Sequence, residues 1–387
     1  MGSDLVKQFE QGGGPTVDFI DTTYNDFMEK LLTTVAAGTP PDLSYVDDYV
    51  PQSYACRGVL AALDDMMSRS KVVNRGNFWP GIVGNNVYKG KMYGIPHGTD
   101  VGLLYYNEDL FKAAGLDPST PPATWDAALT VAGQLTRKQG GDLQQVGWPP
   151  FWGWSGTQQW MLPYWQLGGE LITADESKPT FNNDQALQAM DWGKKLYDLQ
   201  GGYDAVTKLI TTGLKGRQAF VTGRSAMVFA THAAQTLDFK GKTNFPIGST
   251  FWPLPTGGKH ANYISGWSLV IPKGAKNAAG AFQFLEFLCG NGPQVAWALG
   301  WNCQPSVVAA AQSPQFLNAD PLNKLAIAES PTAKYIITAP GGDKILGLMD
   351  KLVTTVMRGQ QTPHDALQAT SDLVQQALTD AEKNCVV

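Results

Sequence analysis

Gly94-Ile95-Pro96-His97-Gly98-Thr99-Asp100 runs directly into the unbroken apolar stretch Val101 to Tyr106, and this junction decides the class of fold. An apolar run without polar alternation suits a strand buried on both faces. The same kind of pattern recurs on either side of it. Thr16 to Ile20 reads as a strand, and Phe27, Leu31 and Val35 follow at helical spacing until Gly38 closes the helix. Pro40-Pro41 turns the chain into a short strand, Leu43 to Val46, whose end delivers Asp47-Asp48-Tyr49 into a loop. Thr124 is placed to cap a helix with Trp125, Leu129, Ala132 and Leu135 along one stripe, and helical periodicity returns from Ala186 to Leu199. Ala226 to Ala230 and Ser268 to Ile271 read as buried strands, with Thr231 and His232 at the end of the first. Phe245 to Leu254, interrupted by prolines, reads as a crossing segment. Phe282, Leu285 and Leu288 mark one more helix, and Thr362-Pro363-His364-Asp365 opens the last, with Ala366, Thr370, Leu373 and Ala377 as its inner stripe. Strands alternating with helices predict an α/β chain, and in open α/β sheets ligands collect beyond the carboxyl ends of the strands.

At 387 residues the chain exceeds what one hydrophobic core usually supports, so two domains are expected. No segment approaches the roughly 20 apolar residues of a membrane-spanning helix, and Met1-Gly2-Ser3-Asp4-Leu5-Val6-Lys7 lacks an apolar signal region. Net charge is −5 with no basic cluster, which argues against nucleic acid as a partner. Charged residues make up 16%, below the usual ~25%, so the surface relies on uncharged polar groups. This balance fits a protein outside the cytosol. With no flexible linker in the sequence, several crossings of one continuous chain would join the domains as hinged lobes.

Trp148 to Trp160 packs four tryptophans among glycines, prolines and amides. Pro149, Pro150, Gly153 and Gly156 break both regular periods, which predicts irregular backbone presenting Trp152, Trp154, Gln158 and Trp160 to a ligand. Flat indole faces beside amides suit a sugar ring, or a quaternary ammonium attracted to the ring quadrupole. A buried aromatic cluster is the competing reading.

The cysteines, Cys56, Cys289, Cys303 and Cys385, form no C-x-x-C pair, and four histidines give little support to a zinc site; no metal or cofactor is expected. Cys289 and Cys303 flank a short helical run and are one possible disulfide, but spacing alone leaves all three full pairings, and four idle thiols, open. Neither G-x-S-x-G nor H-E-x-x-H occurs. Asp47, Asp48 and Asp100 are the acids a glycosidase would need, yet carboxylates at strand ends serve equally as acceptors for ligand hydroxyls. Binding asks for fewer coincidences, so no catalytic residue is assigned.

Five segments, taken in order, resemble one family. They are Ala37-Gly38-Thr39-Pro40-Pro41-Asp42 leading to Asp47; Tyr93-Gly94-Ile95-Pro96 leading through Asp100 to Tyr105-Tyr106-Asn107-Glu108-Asp109-Leu110-Phe111; Thr124-Trp125-Asp126; Phe220-Val221-Thr222-Gly223-Arg224-Ser225-Ala226-Met227; and Gly266-Trp267-Ser268-Leu269-Val270-Ile271-Pro272-Lys273. Together they are similar to the family 1 extracellular solute-binding proteins of bacterial ABC importers, the group of maltose- and glycerol-phosphate-type receptors. The resemblance implies a two-lobed, periplasmic-binding-protein-like (class II) fold, each lobe a mostly parallel sheet flanked by helices, with residues 1–110 and 254–305 in one lobe and 111–253 and 306–387 in the other. It implies crossings near Asn107 to Phe111, Phe245 to Leu254 and Gln304 to Val308. It also implies a cleft drawn from Asp47, Asp48, His97, Asp100, the Trp152 to Trp160 loop, Thr231, His232, Ser265, Gly266, Trp267, Gly300 and Trp301. Family members usually carry a signal peptide and a first strand before the helix that here begins near Asp4. The expectation is therefore a processed or recombinant form lacking both, periplasmic or extracellular, with a membrane-anchored lipoprotein as one option for the precursor.

The expected ligand is a di- or oligosaccharide, held by acids on its hydroxyl edge and by tryptophans on its C–H face, and passed by hinge closure to the membrane permease of an ABC importer. A glycerophosphodiester such as glycerophosphocholine is the alternative, and a carbohydrate-active hydrolase a further one. A monomer is expected.

Overall fold

Residues 2–22, 24–151, 156–215, 217–335 and 339–386 are described by the computed structural model, the side chains of 24, 25, 156–158 and 343 excepted. In chain order the principal elements are α1 (Gly2–Gln11), α2 (Tyr24–Ala36), β1 (Ser44–Asp47), α3 (Pro51–Cys56), β2 (Ile95–Asn107), α4 (Trp125–Leu135), α5 (Gly156–Gln166), α6 (Asp184–Leu199), β3 (Met227–Thr231), β4 (Ile247–Thr250), β5 (Asn262–Val270), α7 (Ala278–Leu288), α8 (Asn291–Trp301), β6 (Ala333–Lys334) and α9 (Pro363–Lys383). The junction at 94–106 becomes β2, thirteen residues long and buried throughout. Thr124 caps α4 as its sequence position predicts, its hydroxyl accepting from the Ala127 N–H at 3.2 Å. Thr362 and Asp365 cap α9 reciprocally at 2.8 and 3.1 Å. Its buried stripe is Ala366, Leu367, Thr370, Val374, Ala377 and Leu378, while Leu373 faces solvent.

The chain divides into two compact units, 1–100 with 264–342 and 379–387, and 101–263 with 343–378. Residues 306–342 and 379–387 thus cluster with the first unit rather than with the second lobe, and the chain passes between units at 100/101 and 263/264, inside β2 and β5. In the first unit β1 pairs with β5, Ser44 opposite Val270 and Asp47 opposite Trp267, and β6 joins β5. Leu31, Val46, Tyr54, Leu60, Tyr93 and Val270 share one core there, while α1 rests on α7 through Phe9 against Phe284 at 4.9 Å. In the second unit β2 pairs with β3 and β4, Leu104 lying opposite both Phe229 and Thr250. Its core gathers indoles: Trp125 stacks on Trp192 at 4.8 Å and Trp148 meets Trp252 edge-on at 4.7 Å.

These three ladders are antiparallel, not parallel. Among the described residues, parallel pairing is seen in the isolated bridges Thr124–Leu254 and Val146–Ser225. A strand buried on both faces is apolar whichever way its neighbours run, so the 101–106 run carries no information about direction. Thr16 to Ile20 is not a strand. No described strand pairs with it, Val17 N–H donates instead to Glu10 Oε1 at 2.8 Å, and Phe19 and Ile20 are exposed. The segment 245–254 supplies β4 inside the second unit rather than a crossing.

The disulfide joins Cys56 to Cys385, while Cys289 and Cys303 are buried thiols. It fastens the end of α3 to the chain terminus, where Val386 N–H also donates to the Cys56 carbonyl at 2.8 Å. Replacing Cys385 with serine is expected to lower unfolding free energy by about 3 kcal/mol, because the open chain regains entropy. Urea midpoints of the two proteins measure this, and equal midpoints would show that the terminus is held without the bond.

Candidate functional site

Two glycines allow the first unit to bring its polar groups together. Gly98 interrupts β2 with φ +81, a conformation that L side chains rarely adopt, and its N–H donates to Ser306 Oγ at 2.7 Å. A Cβ there would meet Trp297 Nε1 at 3.1 Å and Cys303 Sγ at 3.3 Å. Opposite it, a Cβ at Gly266 would fall 2.2 Å from the Gly98 carbonyl oxygen, so β5 approaches β2 backbone to backbone. Thr99 then exchanges two main-chain hydrogen bonds with Gln304, at 2.9 and 2.7 Å.

Around this contact stand Asp47, Asp48, His97 and Asp100, all buried, with Gly266 buried and Ser265 and Trp267 half-buried. Asp48 N–H donates to the Gly266 carbonyl at 3.3 Å. Tyr45 OH donates to the His97 carbonyl at 2.8 Å, and its ring stacks on Trp267 with centroids 6.2 Å apart and 16° between planes. Trp297 closes the other side, 5.7 Å from Tyr45 and 4.7 Å from His97, and Trp301 leans on it at 5.7 Å. Trp301 is 55% exposed and Gly300 is exposed, so α8 carries the aromatic series outward to solvent.

The polar side chains of this group are mostly buried and largely acidic. Burial, then the neighbouring Asp47 carboxylate, pushes the Asp48 carboxyl well above the usual carboxylate range, while hydrogen bonds from Tyr335 and from the main chain of Gly266 and Asp48 pull the other way. Among the described residues, no cation belongs to the groups acting on it. Tyr45 is pushed well up, first by burial and then by the buried Cys303 thiol, and Tyr335 first by burial and then by Asp48. His97, 1% exposed with neither ring nitrogen hydrogen-bonded, is held down to about 3 by burial.

The second unit treats the expected aromatic platform differently. Trp160 lies on α5 and is fully buried, stacked on Tyr164 at 5.4 Å and 9° with Phe181 edge-on at 6.3 Å, so its faces are covered. Trp148 is core as well. A proline at 163 and glycines before it do not prevent a helix here, because packing of Trp160, Met161, Leu162 and Trp165 compensates. Trp152 and Trp154 lie outside the described residues, as does the side chain of Gln158. Thr231 and His232 are buried at the end of β3, their carbonyls accepting from Tyr105 OH at 3.3 Å.

Sequence reasoning passed over Tyr45, Trp297 and Tyr335. Tyr45 stands two positions before Asp47, on the same face of β1, and Trp297 precedes Trp301 by one helical turn, so period 2 and period 3.6 respectively held the signal. Tyr335 is distant from Asp48 in sequence and left none.

The model of the family of bacterial extracellular solute-binding proteins matches residues 3–295. This chain belongs to that family. The chain is similar to a putative binding protein of Brucella abortus (strain 2308), 23% identical over 371 residues, which are 94% of this chain and 86% of the relative. The sn-glycerol-3-phosphate-binding periplasmic protein of Pectobacterium atrosepticum is 26% identical over 303 residues, 72% of this chain and 65% of its own. The protein CpMnBP1, solved with mannotriose bound, aligns with a TM-score of 0.80 at 26% identity over 96% of this chain and 95% of its own. The α/β architecture described above is therefore the fold of a solute-binding protein.

His97 should make this solute-binding protein acid-sensitive. Unfolding raises its pKa from about 3 to about 6.5, so its contribution is complete above pH 6.5 and is lost as pH falls toward 3, at up to about 1.4 kcal/mol per pH unit. Asp48 acts in the opposite direction: its raised value means that stability is greatest with the carboxyl protonated and declines as pH rises through that value. Unfolding free energies from urea titration at pH 7 and 5 are expected to differ by about 2 kcal/mol less in His97→Gln than in the parent. Parallel pH profiles would remove His97 from this role.

Proposed function

We propose that this protein captures a neutral carbohydrate, a di- or short oligosaccharide, at the acid and aromatic face of its first unit, and delivers it to the permease of an ABC importer. One observation carries the reading: Asp47, Asp48 and Asp100 are buried beside Tyr45, Trp267 and Trp297, and no cation acts on Asp48. Carboxylates accept hydrogen bonds from hydroxyls at roughly twice the strength of neutral acceptors, and ring faces cover the C–H side of a sugar. The binding of mannotriose by CpMnBP1 supports the same chemistry.

Likeness to a sn-glycerol-3-phosphate-binding protein favours the phosphate alternative. A phosphate, however, needs a cation or a helix N-terminus, and three acids would repel it. Asp47, Asp48, His97, Asp100, Ser265, Gly266, Trp267 and Trp301 are the proposed contacts in the first unit, with Trp152, Trp154 and Gln158 retained from the sequence. No chemical step is assigned to them. The Cys56–Cys385 disulfide supports an oxidising compartment, periplasmic or extracellular, and a monomer suffices for binding.

Calorimetric titration with mannotriose, maltose, glycerol 3-phosphate and glycerophosphocholine tests this reading. Saturable binding of a saccharide with the sugar recovered intact is expected, and Trp267→Ala should weaken it about tenfold, near 1.4 kcal/mol. Binding confined to the phosphates, or turnover of the sugar, would overturn it. The hinge closure implied by the family belongs to the same proposal: small-angle scattering should show a smaller radius of gyration with ligand, and an unchanged one would exclude closure.

A further inference from the structure

We infer that Tyr335 is a positioning residue for ligand recognition, holding one side of the Asp48 carboxylate so that Oδ2 is left to accept from a ligand hydroxyl. The inference rests on the carbohydrate reading above and names the atom and the partner on which it turns. Asp48 is 2% exposed, and its Oδ2 is buried without a hydrogen-bond partner. The hydrogen-bonding groups that act on this carboxyl are the Tyr335 hydroxyl and the main chain of Gly266 and Asp48. A carboxylate offers about four acceptor positions, and leaving one buried and unused carries a desolvation penalty. An arriving hydroxyl relieves that penalty, which is a reason for a binding site to retain it.

Three separate segments converge here. Asp48 leaves the end of β1, Gly266 lies within β5, and Tyr335 follows β6, which pairs with β5. The titratable groups facing this carboxyl are Asp47 and Tyr335, and Tyr49 faces Tyr335 in turn. Among the groups acting on Asp48, the phenol is the side chain that favours its ionised form. Removing its hydroxyl should both free the carboxylate to rotate and make ionisation harder. A ring acting only as packing would do neither.

Tyr335→Phe keeps the ring and removes the donor. Affinity for mannotriose, or for whichever saccharide of the panel the parent protein binds, is measured from pH 5 to 8.5. Parent affinity is expected to rise as Asp48 ionises; Tyr335→Phe should bind about tenfold more weakly at pH 7, with the rise displaced to higher pH, and Asp48→Asn should bind weakly with a flat profile. Equal affinity and an unmoved profile in Tyr335→Phe would overturn the inference, as would a uniform loss without displacement. A second measurement needs no ligand: infrared titration of the Asp48 carboxyl, assigned by difference with Asp48→Asn, should show its midpoint moved upward in Tyr335→Phe. An unmoved midpoint overturns the inference by itself. If the folded parent binds no saccharide, the carbohydrate reading fails, while the infrared result still decides whether Tyr335 holds the carboxyl.

Discussion

A tight approach of β2 to β5 in the first unit, where a Cβ at 266 would sit 2.2 Å from the Gly98 carbonyl oxygen, constrains the groups around it. Only two glycines allow the backbones this near, and the left-handed turn at Gly98 re-aims the residues on either side. Asp48 then reaches the Gly266 carbonyl, Tyr45 reaches the His97 carbonyl, and Trp297 covers the space that a side chain at 98 would claim. A side chain at either glycine would push the strands apart before it changed any group meant to touch a ligand.

That geometry concentrates unfavourable terms. Buried acids adjoin one another, a buried histidine stays neutral without a hydrogen bond on either nitrogen, and no cation acts on Asp48. Such a group lowers stability unless something else satisfies it, and the surrounding architecture supplies the surplus: a wholly buried thirteen-residue strand, an indole-rich core in the second unit and a disulfide at the chain terminus.

Asp47 and Asp48 stand at the end of β1, where the sequence pattern placed them, whereas His97 and Asp100 lie inside β2 and Gly266 inside β5; all five were singled out and belong to one unit. The tryptophan-rich run was misleading for a physical reason. Glycine and proline lower helix propensity locally, but burial of Trp160 against Tyr164 and Phe181 outweighs that cost, and what read as a platform is in part a core. Strand direction was invisible because burial on both faces erases alternation. Tyr335 was invisible because its partner is remote in sequence.

By itself the sequence determined the alternation of strands and helices, the helix caps at Thr124 and Thr362, the buried character of 101–106 and the motif order that marks a solute-binding protein, all of which depend on near neighbours in the chain. The tertiary structure alone decided which cysteines pair, which tryptophans keep an exposed face, how the strands run and which hydroxyl holds Asp48. Each of those depends on groups far apart in the sequence meeting in space, and a pattern of local propensities contains no term for such a meeting.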